Sequence, residues 1–357
     1  MLSLRARLSF RVCGLLNGCC LALCLSLAAA GQNTGGAKTP GPEAVRQGQA
    51  ETDEDEIIRV RTDEVALPVS VRDERGTPVA GLRAESFFIY DNGVRQQITS
   101  FNQRRIPANI ILLLDASGSV FSQMRLIRLA AKRFAQELLP QDRVCVMQFA
   151  DRVEVLQDWT QATEIAKLEK TLVWRYHAGQ GTAFHEGLQR AASEQLSKVE
   201  GRRVIILLTD GIDTAKGPQT SFAEALNSVR RAEASVYVVS LTATLRKLIE
   251  DSAGTGWSKI FSGSDPREVS ALLELIEGAE RQLKELAEQT GGRLFLPLKD
   301  EDLLPAYQAI AEELRTQYII TYRPLPRVAA GEQREIRVLV SPGGYEVAAR
   351  RGYLGRE

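Results

Sequence analysis

Residues 110–120, Ile-Ile-Leu-Leu-Leu-Asp-Ala-Ser-Gly-Ser-Val, constrain the fold of this chain more than any other stretch. Five apolar residues in succession suit a strand buried on both faces, as in a parallel sheet with helices above and below it. The run stops at Asp115, and Ser117 and Ser119 follow with Gly118 between them. Three oxygen-bearing side chains at alternate positions of a tight turn can converge on one point. An all-oxygen set that leaves room for water suits Mg²⁺. The plainer alternative is that Asp115 ends the strand and one serine caps the next helix.

Two later segments favour the first reading. Residues 204–209, Val-Ile-Ile-Leu-Leu-Thr, form a second buried-strand run and are followed by Asp210-Gly211. Between the two runs, Gly179-Gln180-Gly181-Thr182 opens a helical pattern and adds another hydroxyl. Asp115 and Asp210 would both stand at the carboxyl ends of central strands, where open α/β sheets place their ligand crevice. Two carboxylates crowded there repel, and one is pushed towards its protonated form unless a cation removes the conflict.

Asp115-x-Ser117-x-Ser119, then Thr182, then Asp210 in Leu-Thr-Asp-Gly resemble the metal-ion-dependent adhesion site of von Willebrand factor type A domains, over roughly residues 107–314. The resemblance implies an α/β fold with a doubly wound, mostly parallel sheet. It also implies Mg²⁺, with Mn²⁺ or Ca²⁺ as substitutes, held through Asp115, Ser117 and Ser119, with Thr182 and Asp210 direct or through water. The expected partner is a protein that offers an Asp or Glu carboxylate to the cation.

At the start of the chain, Arg5, Arg7 and Arg11 precede an apolar run over 12–30 that ends in three alanines. This reads as a secretory signal over residues 1–30, and the expected location is periplasmic, cell-surface or secreted. The run would also span a bilayer if uncleaved, which is the one route to a membrane expected here. Lipid attachment at Cys19 ranks below both, because most of the apolar run follows that cysteine. Losing the signal with its three arginines leaves 42 basic against 45 acidic residues, so neither nucleic acid nor an anionic membrane surface is an expected partner. Cys145 is the one cysteine outside the signal, and its apolar neighbours Val144 and Val146 mark it as core filling.

Residues 31–55, rich in Gly, Gln, Pro and acids, read as a flexible linker. Over 56–106 the pattern has period two: Val65, Leu67, Val69 and Val71 alternate with other residues, and Asn92-Gly93 marks a hairpin. The type A segment, 107–315, is expected to hold helices over 121–139, 162–173 and 222–231. Strands are expected over 144–149, 153–156, 235–241 and 293–298. A long amphipathic helix starts near Asp265-Pro266 and stops at Gly291-Gly292. Residues 242–263 read as an insertion, with a helical piece over 245–251, on the same edge as the metal. Residues 174–186 hold Trp174, Tyr176, His177, Phe184 and His185 around Thr182. The aromatics either form a contact surface or pack into the core, and the two histidines read as surface or rim residues. No zinc site is expected from them.

Residues 316–357 carry three more alternating segments, too few for a sheet of their own. They are expected to pair with 56–106 in a β-sandwich-like second domain around the inserted type A segment. The whole arrangement, from the Pro-Val-x-Gly-Leu and Phe-x-x-Tyr-Asp-Asn-Gly segments to the terminal Arg-Arg-Gly-Tyr, resembles the acidobacterial VWFA-related secreted family. The expected function is a Mg²⁺-dependent adhesion-type binding module and no enzyme. The alternatives are a structural envelope scaffold with a stabilising metal or, further off, a metal-assisted hydrolase. Gly-x-Ser-x-Gly, paired-histidine and P-loop motifs are absent from the sequence.

Overall fold

Alternation places the first strand, β1 (Val65–Arg72), with Val65, Leu67, Val69 and Val71 all turned into a core. The computed structural model describes residues 64–103, 106–214, 220–252 and 266–355. The signal and linker expected over 1–55 lie outside them.

β2 (Phe87–Asp91) and β3 (Val94–Gln96) form the expected hairpin, with Asn92 and Gly93 at φ 45° and 79°. β4 (Ile98–Asn102) follows. The Asn92 side chain accepts a hydrogen bond from Glu335 N at 2.8 Å, and its own N–H donates to Glu335 O at 2.9 Å. A left-handed conformation strains any side chain but Gly and, less, Asn. Asn92→Val is therefore expected to cost about 1–2 kcal/mol and Asn92→Gly to be nearly neutral, read as urea midpoints at unchanged slope.

The central sheet follows from the apolar runs. β5 (Ala108–Asp115) is buried along its whole length. It pairs in parallel with β6 (Arg143–Phe149) on one side and β8 (Arg202–Thr209) on the other. β9 (Ser235–Ser240) and β10 (Leu294–Phe295) extend the parallel part, and β7 (Val153–Gln161) closes the far edge antiparallel to β6. The order is β10-β9-β8-β5-β6-β7. Ile110, Leu112 and Leu114 face a layer built from α1 (Met124–Gln136), α2 (Ile165–Trp174) and α7 (Leu303–Thr316). Ile111 and Leu113 face the opposite layer, from α3 (Phe184–Arg190), α4 (Phe222–Arg231) and α6 (Pro266–Thr290). A strand covered on both faces is why the run shows no alternation. Cys145 is buried in the second layer, and burial pushes its thiol up to about 12, which removes thiolate chemistry at neutral pH.

Several boundaries differ from expectation. The turn after Asp115 is a 3-10 segment, Gly118–Gln123, so α1 starts only at Met124, and Phe121 on that turn is exposed. α2 starts at Ile165 because Ala162 N still bonds Asp142 O as the end of the β7 turn. β7 runs on to Gln161, since residues up to Gln161 find partners on β6. β10 is cut to two residues ahead of Pro297, which has no N–H for a ladder. The helical piece after β9 is longer than expected, α5 (Thr242–Ser252); the rest of the insertion, 253–263, lies outside the described residues.

Of the C-terminal strands, β11 (Tyr318–Tyr322) pairs with β1 and β4, β12 (Gln333–Val340) with β2 and β13 (Glu346–Ala348) with β1, while β14 (Gly352–Leu354) adds to the edge of β12. Two antiparallel sheets result, β13-β1-β11-β4 and β14-β12-β2-β3, around a shared core of Leu67, Val69, Ile89, Ile320 and Ile336. A buried polar network joins this platform to the α/β domain. Arg72 on β1 donates to Glu313 on α7 at 2.7 Å, and Tyr237 on β9 donates to the other Glu313 oxygen at 3.1 Å.

Candidate metal centre

Parallel pairing of β5 with β8 sets the geometry of the site. The register Leu114↔Leu208 brings Asp115 beside Thr209 and Asp210 at the carboxyl edge of the sheet, where the chain turns away on both sides. Asp115 is fully buried. Its Oδ1 accepts from Ser117 N at 2.8 Å and its Oδ2 from the Thr209 hydroxyl at 2.7 Å. Thr209 Oγ1 in turn accepts from Gly211 N at 2.9 Å, which shapes the turn that presents Asp210. Ser117 and Ser119 hydroxyls lie 2.9 Å apart, and the Ser119 hydroxyl donates to Asp210 Oδ2 at 2.5 Å. Asp210 Oδ1 accepts from Ile212 N at 3.0 Å. Four of the five expected residues thus form one hydrogen-bonded cluster. Ser117 and Asp210 are buried in it, and Ser119 stands at its exposed side.

Thr182 is buried, and backbone bonds tie its loop to the loops that carry Asp115 and Asp210. Gly179 N donates to Ala116 O at 2.8 Å, and Thr214 N, four residues past Asp210, donates to Thr182 O at 3.0 Å. The 179–182 turn therefore lies between the two aspartate loops. Tyr176 is also fully buried, with its hydroxyl donating to Asp115 O.

Burial pushes the Asp115 carboxyl up to about 7, and the neighbouring Asp210 charge adds to the rise. Asp210 is raised as well, chiefly by burial. Two buried carboxyls held above the ordinary carboxylate range, with hydroxyls around them, are short of positive charge. Among the described residues no group of three or more His, Cys, Asp or Glu side chains could hold a metal ion. A cation here would have to be held by two carboxylates and hydroxyls, and such a hard-oxygen set suits Mg²⁺ better than Zn²⁺.

The surrounding aromatics divide. Phe184 is fully buried, 5.9 Å from the Phe149 ring, whereas Trp174 is 73% exposed. His177 is exposed, with its ring 2.7 Å from Trp174 O. His185 packs against Phe184 and Phe222, and its Nδ1 lies 3.4 Å from Asp213 Oδ2. The ring is half-buried because α3 faces the loop after Asp210. Asp151 and Thr209 are the polar residues around the site that sequence reading missed. Thr209 stood in plain view in Leu-Thr-Asp-Gly, but there it counted only as the end of a strand.

The fold and the site define an α/β domain with a cluster of carboxylate and hydroxyl oxygens at the carboxyl edge of its central strands. Residues 109–274 match the model of the von Willebrand factor type A domain family. Domains of this family are generally adhesion or structural modules and not catalysts. The uncharacterised protein sll0103 of Synechocystis sp. is 35% identical over 112 residues, 31% of this chain and 26% of that one. The chain thus spans about a quarter of the length of that relative. Among solved structures, a von Willebrand factor type A protein from Catenulispora acidiphila is 13% identical, covering 84% of this chain and 76% of that one, with a TM-score of 0.43. Proximal thread matrix protein 1 of the mussel byssus is 15% identical, with 63% and 50% covered and a TM-score of 0.44. Among the described residues no helix is long and apolar enough to cross a membrane.

Proposed function

We propose that the chain is a Mg²⁺-dependent, adhesion-type protein-binding module whose cation accepts a partner's carboxylate. The observation that carries this reading is the seating of two buried carboxylates, Asp115 and Asp210, in one cluster closed by Ser117 and Ser119. The residues fit the cation. Asp115, Ser117 and Ser119 would hold it, with Thr182 and Asp210 bound directly or through water. When bound, Mg²⁺ supplies the electrostatic attraction for one incoming Asp or Glu oxygen. Ser117 N and Thr209 hold the Asp115 carboxylate and would fix its orientation as a ligand. Ser119, exposed beside buried Ser117, marks the side from which a partner would reach the site.

The leader-like residues 1–30 lie outside the described residues. They support extending the reading to an exported envelope or secreted protein, in line with the resemblance to the acidobacterial secreted family. The test is retention of a partner from an envelope extract on the immobilised chain in Mg²⁺. The bound material should elute with EDTA and should not be retained by Asp115→Ala. Equal retention in EDTA would move the binding surface away from this crevice.

A further inference from the structure

We infer that Asp151 is a positioning residue for Thr182, its carboxylate holding the 179–181 turn in the shape that presents Thr182 to the two aspartates. This rests on the metal reading of the site. Thr182 lies on an irregular connection between α2 and α3, and a turn with glycines at 179 and 181 loses more conformational freedom on ordering than other sequences. Something must hold it. Gly179 N and Ala183 N donate to the carbonyls of Ala116 and Ala150, each at 2.8 Å, and Thr214 N donates to Thr182 O. Between those anchors, Gln180 N donates to Asp151 Oδ2 and Gly181 N to Asp151 Oδ1, each at 2.8 Å. Asp151 makes the side-chain contacts in this set; the others are backbone to backbone.

The turn is built around that carboxylate. A Cβ on Gly179 would meet Asp151 Oδ2 and Ala150 Cβ at 2.6 Å, and one on Gly181 would meet Asp151 Oδ1 at 3.0 Å. Both glycines thus allow the backbone to close on Asp151. Two adjacent N–H groups shared by one ionised acceptor are charge-assisted bonds, roughly twice as strong as neutral ones. Outer residues that orient a metal ligand commonly change affinity by about 10–100-fold when removed. Asp151 could alternatively act by its charge alone. The two modes differ in how they depend on Thr182.

The experiment is a calorimetric Mg²⁺ titration of the full chain, its Asp151→Ala, Asp151→Asn and Thr182→Ala variants, and the Asp151→Ala/Thr182→Ala double variant. Hydrogen exchange at Gln180 and Gly181 is followed in the same proteins without metal. Asp151→Ala is expected to weaken Mg²⁺ binding about tenfold and to speed exchange at both amides. Asp151→Asn should fall between, because its one carbonyl oxygen can still accept from one amide. It carries the test if the alanine variant does not fold. In the Thr182→Ala background, Asp151→Ala should cost less than about twofold more. An Asp151→Ala protein with unchanged affinity and exchange would overturn the inference. So would an equal loss in both backgrounds, which would mean that Asp151 acts on the cation itself. A parent chain that binds no Mg²⁺ would overturn the metal reading instead; the exchange data would still show whether Asp151 orders the turn.

Discussion

Asp115→Asn is expected to stabilise the metal-free protein and to abolish Mg²⁺ binding in the same molecule. Burial first, and then the charge of Asp210, push the Asp115 carboxyl up to about 7. A carboxyl raised in the folded state holds its proton more tightly there than in the unfolded chain. Between about pH 4 and pH 7 the folded state therefore binds more protons, and stability falls as pH rises through that window. Each tenfold gain in proton affinity on folding is worth about 1.4 kcal/mol, so at pH 8 the ionised Asp115 costs the metal-free fold on the order of 4 kcal/mol. Asparagine removes that cost and can still accept from Ser117 N. It forfeits about 1 kcal/mol at the Thr209 hydroxyl, which now meets an N–H₂ group. The net gain expected at pH 8 is about 3 kcal/mol; near pH 4, where the folded carboxyl is protonated, it turns into a loss of about 1 kcal/mol. Thermal melts of both proteins without metal at pH 4, 6 and 8 give the answer. Added Mg²⁺ should stabilise the parent and leave Asp115→Asn unchanged. A parent no less stable at pH 8 than Asp115→Asn would mean that the carboxylates do not repel as described.

Glu313→Ala should produce the largest loss of stability. Glu313 is 1% exposed and holds Arg72, itself 3% exposed at the side chain, through a 2.7 Å ion pair. It also accepts from Tyr237, whose hydroxyl accepts from Gln317 Nε2 at 2.8 Å; the same Gln317 amide reaches Ser70 at 3.0 Å. Alanine leaves a buried guanidinium with Glu346, a 65% exposed carboxylate, as its remaining charged partner at 2.8 Å. Breaking a buried pair from one side typically costs about 3–5 kcal/mol, because the remaining charge stays desolvated. The expected readout is a guanidinium chloride midpoint shifted by that amount. A double variant, Arg72→Met with Glu313→Leu, should recover most of it, since apolar residues of similar volume can replace a buried pair. Losses that simply add in the double variant would place the cost elsewhere than in the pair.

How much of this was legible depended on the kind of signal. The central strands were, because Ile110–Leu114 and Val204–Leu208 are uninterrupted apolar runs and fully buried strands need no alternation. The return of the last segment to the first also followed from physics, as three strands are few for an independent sheet domain; β11 duly lies between β1 and β4. Phe222–Arg231 fell on its expected bounds because Ser221 and Glu224 form a complete capping box. Phe121 misled. It counts as apolar in any periodicity, yet it is 67% exposed on the turn that Gly118 opens. Trp174 and Phe184 look alike in composition and have opposite fates, which depend on packing against β6 that no local pattern records. At the site, Asp115, Ser117, Ser119 and Asp210 were visible through their spacing at strand ends. The bonds from Asp151 to Gln180 and Gly181, and the pairing of His185 with Asp213, were not. They join segments 29, 30 and 28 residues apart and follow no period.

On the proposed reading, two buried aspartates and their hydroxyl neighbours hold one hard cation and leave it a free coordination position. Anomalous diffraction from crystals soaked in Mn²⁺ tests this most directly. One peak is expected, at ordinary Mn–O bonding distance from the Ser117 and Ser119 hydroxyls and an Asp115 oxygen. At least one position of an octahedral shell should be filled by water or by an acetate or neighbouring carboxylate. No peak beside Asp115 and Asp210, or an ion ringed entirely by this chain's own oxygens, would rule out an adhesive cation here.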